Sequence, residues 1–92
     1  MYKECWKLFE QMEEILTDEE LDEILACELN ELHKYDSDLG FWIRNRVLTP
    51  DSKLYKSFIN EGVTRKDDMS DRLISDFYWH LKFKRLDERY QD

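Results

Sequence analysis

Residues 63–92 contain neither glycine nor proline. Their apolar side chains keep a helical period, so one long helix is expected, starting at Thr64 or Asp67 and reaching about Arg89. This helix carries two apolar stripes. At about 100° per residue, Met69, Leu73, Phe77 and Leu81 gather on one side, while Trp79, Phe83, Leu86 and Tyr90 gather roughly opposite. A helix patterned in this way has to pack on two neighbours, and the remaining chain must be arranged around it. The expected occupant of the second stripe is the N-terminal helix, with Trp6 and Phe9; the alternative is another chain, a second copy included.

The rest of the sequence supplies short helices for that arrangement. Cys5, Leu8, Phe9, Met12 and Leu16 recur at three- and four-residue spacing, which predicts a first helix over about Tyr2 to Leu16. Thr17-Asp-Glu-Glu20 has the pattern of a capping box, in which hydroxyl and carboxylate each satisfy a free amide at a helix start. A second helix follows, with Leu21, Ile24, Leu25, Leu29 and Leu32 on one face, and is expected to end near His33 or Lys34. Tyr35-Asp-Ser-Asp38 is read as a break. Ser37 or Asp38 then caps a short third helix whose face is Leu39, Trp42, Ile43 and Val47. Thr49 is the expected cap of a fourth helix, with Pro50 at its first position and Leu54, Tyr55, Phe58 and Ile59 along one side. Gly62 suits the left-handed position that ends it. With two glycines and one proline in 92 residues, a turn-rich β-fold is excluded. The reading is all-α: residues 1–92 form one domain, a single compact bundle of four or five helices.

Charge is unevenly spread. Residues 1–33 carry eleven acids and two bases, whereas residues 34–92 carry eleven acids and twelve bases. Such a face keeps a small domain soluble, and its carboxylates also suit a basic protein partner. Glu13, Glu14, Glu19, Glu20 and Glu23 are the candidate contacts. Direct nucleic-acid binding is disfavoured by the net charge of −8, although Lys82, Arg85 and Arg89 form a short basic stripe. The two cysteines, Cys5 and Cys27, lack C-x-x-C spacing and read as buried thiols of a cytoplasmic protein. No run is long enough to span a bilayer, and no signal peptide is evident.

The sequence carries no catalytic or metal-binding pattern. Asp36-Ser-Asp38 starts like a calcium loop, but its glycine falls one place early and Val47 stands where a glutamate is required. His33 and His80 have no ligand-spaced companions and read as surface or helix-edge residues. Serines and cysteines lack an activating setting. No cofactor, metal or enzymatic activity is expected.

Gly40-Phe-Trp-Ile-Arg-Asn45, then Leu54 and Phe58, then Gly62, then Asp67-Asp-Met-Ser70 together resemble an uncharacterised family of small bacterial helical domains of unknown function. The sequence departs from it at Arg46-Val-Leu-Thr-Pro50, where a tryptophan-containing turn is usual, and at Lys66, where proline is usual. The resemblance implies a helical fold and no particular activity. It also pairs two distant elements. Gly40, one turn before Arg44, is expected to admit another backbone; Arg44 then donates to Asp67, Asp68 or the groups at the head of the last helix, and Asn45 bonds backbone in the following turn. Phe41, Trp79 and Phe83 are the candidate aromatic contacts. The expected function is that of a non-catalytic, acidic protein-binding domain such as a bacterial or phage inhibitor, immunity or adaptor protein; the alternative is a nucleic-acid-linked role as a DNA mimic or regulator. The last helix also offers a face for a homodimer.

Overall fold

The computed structural model describes the backbone of residues 2–90 and the side chains of residues 6–84. Among these residues there is no strand, and the fold is all-α. Four helices, α1 (Tyr2–Ile15), α2 (Asp18–Ala26), α3 (Lys53–Asn60) and α4 (Lys66–Tyr90), are joined by an irregular helical stretch over residues 29–47. At 25 residues, α4 is about 37 Å long from its 1.5 Å rise. It sets the 42 Å long axis of the molecule.

The core lies along one side of α4. Met69, Leu73, Ile74, Phe77 and Leu81 are buried against Leu8, Phe9 and Met12 of α1, Ile24 of α2, Leu32, Leu39 and Ile43 of the irregular stretch, and Leu54 and Phe58 of α3. Every described member of the first stripe is therefore used. The second stripe is not covered by α1, contrary to expectation: Trp79 and Phe83 are exposed. The first helix packs on the first-stripe side instead, against His80. That residue is only 2% exposed, neither a surface nor an edge histidine. Its ring is boxed by Trp6 (4.9 Å), Phe9 (5.1 Å) and Phe77 (6.3 Å), two of them from α1. Glu13 closes the box, with Oε2 3.5 Å from His80 Nε2 and Oε1 accepting from Lys84 Nζ at 3.0 Å. The side chains of Cys5, Leu86 and Tyr90, and those of Arg85 and Arg89 in the basic stripe, lie outside the described residues.

The Thr17 capping box forms as the sequence predicts, with Glu20 N–H donating to Thr17 Oγ1 and Thr17 N–H to Glu20 Oε1. The helix it starts is shorter than expected. Cys27 and Glu28 are extended, and the chain resumes as a 3-10 helix over Leu29–Tyr35. Two bonds stabilise that interruption: Tyr78 Oη donates to Cys27 O at 2.9 Å, and Cys27 Sγ donates to Glu23 O at 3.2 Å. The shift turns Leu32 into the core and leaves Leu29 exposed.

The break predicted at 35–38 is absent. The chain continues as π-helical turns over Asp36–Gly40 and Ile43–Val47, so neither Ser37 nor Asp38 is a cap. Leu39, Trp42, Ile43 and Val47 nevertheless share the inward face. The start of α3 also differs. Ser52 is its cap, accepting from Tyr55 N–H at 3.1 Å, while Thr49 O accepts from Ser52 N–H in the preceding turn. Gly62, at φ +91°, ends α3 as expected. Substituting Ser52→Ala should therefore cost about 1 kcal/mol in a denaturant titration, whereas Thr49→Ala should change stability by less than about 0.5 kcal/mol.

Candidate functional site

Asp36, Gly40 and Arg44 stand one turn apart on the irregular helix, and its π turns bring them onto the head of α4. Arg44 is a hub. Nη1 donates to Asp36 Oδ1 at 2.9 Å and to Ser70 Oγ at 3.1 Å, Nη2 donates to Asp36 O at 3.2 Å, and Nε lies 3.7 Å from Asp67 Oδ1. Ser70, fully buried, passes the link on by donating to Asp67 O at 3.0 Å. The guanidinium thus ties two elements together with most of its fork, and its side chain is 19% exposed.

Two details of this junction differ from the sequence reading. The last helix does pack against Asp36–Gly40, but the atoms nearest to the missing Cβ of Gly40 are side-chain atoms of its own helical stretch. A Cβ there would lie 3.0 Å from both Arg44 Nη1 and Asp36 Oδ1, so the missing side chain makes room for the ion pair itself. Asn45 also turns the other way, donating to Phe41 O at 2.8 Å one turn earlier in its own helix. Asp36 was missed as the principal partner, although the i, i+4, i+8 spacing of Asp36, Gly40 and Arg44 is a signal that could have found it. Asp68 makes no ion pair with Arg44. Burial, with the charges of Asp36, Asp68 and Asp67 adding to it, pushes the Asp71 carboxyl above its ordinary value, while Arg44 pulls it down.

These elements lie within a single family match. The family model described as Domain of unknown function (DUF6794) matches residues 4–81. The chain belongs to that family. No curated protein and no solved structure matches it. The span matched by DUF6794 takes in α1, α2, the irregular helix, α3 and most of α4, and so holds Asp36, Gly40, Arg44, Asp67 and Ser70 together.

The candidate acidic contacts divide into two groups. Glu13 faces inward, 18% exposed, and accepts from Lys84, with the buried His80 Nε2 3.5 Å from its other oxygen and not hydrogen-bonded. Glu14 and Glu19 are exposed, and among the described residues no cation reaches them. Glu20 is exposed but caps α2, and Glu23 lies a loose 3.8 Å from Lys34. Between α2 and the irregular helix is a groove of about 300 Å³. Ile15, Leu16, Ile24, Tyr35, Leu39 and Trp42 line it, and Glu20, Glu23 and Asp38 stand at its edge. The sequence pattern assigns Leu16, Ile24, Leu39 and Trp42 to separate helix faces and Tyr35 to a break, and gives no sign that they converge with Ile15. Phe41 is 60% exposed outside that lining, and Trp79 with Phe83, ring centres 6.3 Å apart, forms a separate exposed aromatic ridge on α4.

Cys27, His33, Ser52 and Ser70 are engaged within the scaffold. Cys27 is buried, with its sulfur on Glu23 O and 3.6 Å from Tyr35 Oη. Burial and this thiol together push the Tyr35 phenol well up. His33 Nδ1 sits 2.9 Å from Asn30 O, and Ser52 and Ser70 serve helix starts. Among the described residues no His, Cys, Asp and Glu cluster is arranged to hold a metal ion, and no helix is long and apolar enough to cross a membrane.

Two outcomes are expected at the junction. Arg44→Ala should cost about 1–3 kcal/mol, since it removes the charge-assisted bonds to Asp36 and leaves the buried Ser70 hydroxyl without its donor. Gly40→Ala should destabilise the wild-type protein by about 1 kcal/mol or more through crowding. In the Arg44→Ala background the sign should reverse, because Asp36 is free to swing outward and only the gain of up to about 1 kcal/mol in helix propensity remains. A double-mutant cycle by chemical denaturation measures both. Asp71 provides the pH test. Its folded-state value is raised, so the contribution of its protonated form is present below the ordinary carboxylate range and lost as pH rises through the raised value. Asp71→Asn should therefore raise the melting temperature at neutral pH, by an amount that shrinks as pH falls towards about 4.

Proposed function

We propose that this protein is a non-catalytic interaction domain that binds a basic protein through the outward carboxylates of α1 and α2. The observation that carries this reading is the exposed, uncompensated state of Glu14 and Glu19 beside Glu20 and Glu23. Intramolecular pairing consumes Glu13 and leaves the others facing solvent on two consecutive helices. Carboxylates grouped in this way attract a cationic surface over about 8–10 Å at moderate salt and speed its approach. A non-catalytic role is supported by the engagement of Cys27, His33, Ser52 and Ser70 in the scaffold. The buried free thiol of Cys27 supports a cytoplasmic setting. An inhibitor, immunity or adaptor protein of a bacterium or phage works by such contacts, with its partner's arginines and lysines as the recognised groups.

The test is affinity capture from the source cell, identification of the bound protein and titration with that protein purified. Binding should weaken at least about tenfold between about 0.05 M and 0.3 M salt, and charge reversal at Glu14 and Glu19 should weaken it further with the melting temperature kept. Salt-independent binding that ignores both charge reversals would show that the acidic face is only a solvated surface.

A further inference from the structure

The groove between α2 and the irregular helix has the features of a specific docking site. Ile24 and Leu39 are buried in its lining, while Ile15, at the end of α1, is 50% exposed at its lip. Its volume of about 300 Å³ is at the lower limit of pockets that enclose a drug-sized molecule. That space suits one or two apolar side chains. Among the described residues the lining contains no lysine, arginine or histidine, and its charged members are Glu20, Glu23 and Asp38. Glu20 spends one oxygen on the Thr17 cap, Glu23 faces the Tyr35 phenol and lies 3.8 Å from Lys34, and Asp38 is exposed.

We infer that this groove receives an apolar side chain from a basic amphipathic segment of another protein, with flanking lysines or arginines reaching Glu20, Glu23 and Asp38. The inference rests on the interaction reading above and names where the partner is held. Apolar anchors in a groove supply affinity, and charges at the rim set orientation and partner choice. A second copy fits poorly. This chain does carry Phe83 between Lys82 and Lys84, but Lys84 is committed to Glu13 and two copies would bring together net charges of −8 each.

Defined probes test the idea with the full chain: a labelled leucine–lysine amphipathic peptide, the same peptide with serine for leucine, and a leucine–glutamate version. Anisotropy should show the leucine–lysine peptide binding at least about tenfold tighter than either control, a difference of about 1.4 kcal/mol. Amide shifts should concentrate at Ile15, Leu16, Ile24, Leu39 and Trp42. Ile15→Lys and Asp38→Lys, both at exposed positions, should each weaken binding about tenfold, whereas Glu14→Lys, an equal charge change outside the groove, should weaken it less than about threefold. Equal binding of the serine–lysine peptide, or equal losses at Glu14 and Asp38, overturns the groove and leaves the acidic-face reading standing. Failure of every cationic probe at low salt overturns both. Sedimentation that detects a dimer abolished by Ile15→Lys assigns the groove to a second copy and also overturns the inference.

Discussion

The tie between Arg44 and its partners on two elements is the interaction on which the arrangement depends. The irregular helix is the middle of the chain, and α2 and α3 leave from its two ends. Its orientation against α4 is set where Arg44 meets Asp36, Ser70 and Asp67. Apolar packing supplies most of the stabilising free energy, since it is roughly proportional to buried area and has no directional preference. It cannot by itself choose among nearby rotations of a helix made of wide turns. Directional, charge-assisted bonds from a planar guanidinium can.

How much of this was legible in the sequence depends on the range of the governing interaction. The Thr17 capping box, the left-handed Gly62, the first stripe of α4 and the described part of the α1 stripe are local patterns, and all are present. The approach of Arg44 to Asp67 was also suggested, through the paired motifs. The π turns were not, because an i→i+5 ladder has no residue signature of its own and appears here as an uninterrupted helix where polar residues imply a break. His80 shows another limit. Its polarity marks it for the surface, yet the three aromatic rings that enclose it come from two helices far apart in sequence. The exchange of Thr49 for Ser52 as cap is a smaller case, two competent hydroxyls three residues apart with geometry choosing between them.

The same distinction applies to the candidate contacts. Five glutamates appear equivalent in a charge count, but burial and distance sort them into a clasp residue, a cap, a loosely paired residue and two free ones. Convergence of side chains from α1, α2 and the irregular helix into one groove is likewise a property of tertiary structure. It depends on the interruption after Ala26, which brings Tyr35 and Leu39 back beside Ile24.

The clasp of Glu13 on His80 and Lys84 has a thermodynamic consequence for that groove. Ile15 and Leu16, two and three residues beyond Glu13, are part of its wall. The wall is therefore in register only while α1 is docked on α4. Occupancy and docking are two equilibria sharing one structural state, so whatever free energy an occupant gains from α1 being seated is returned in full to the seating of α1. Residues on α4 that never touch an occupant, His80 and Lys84 among them, consequently enter its affinity through the fraction of molecules in which the groove is complete.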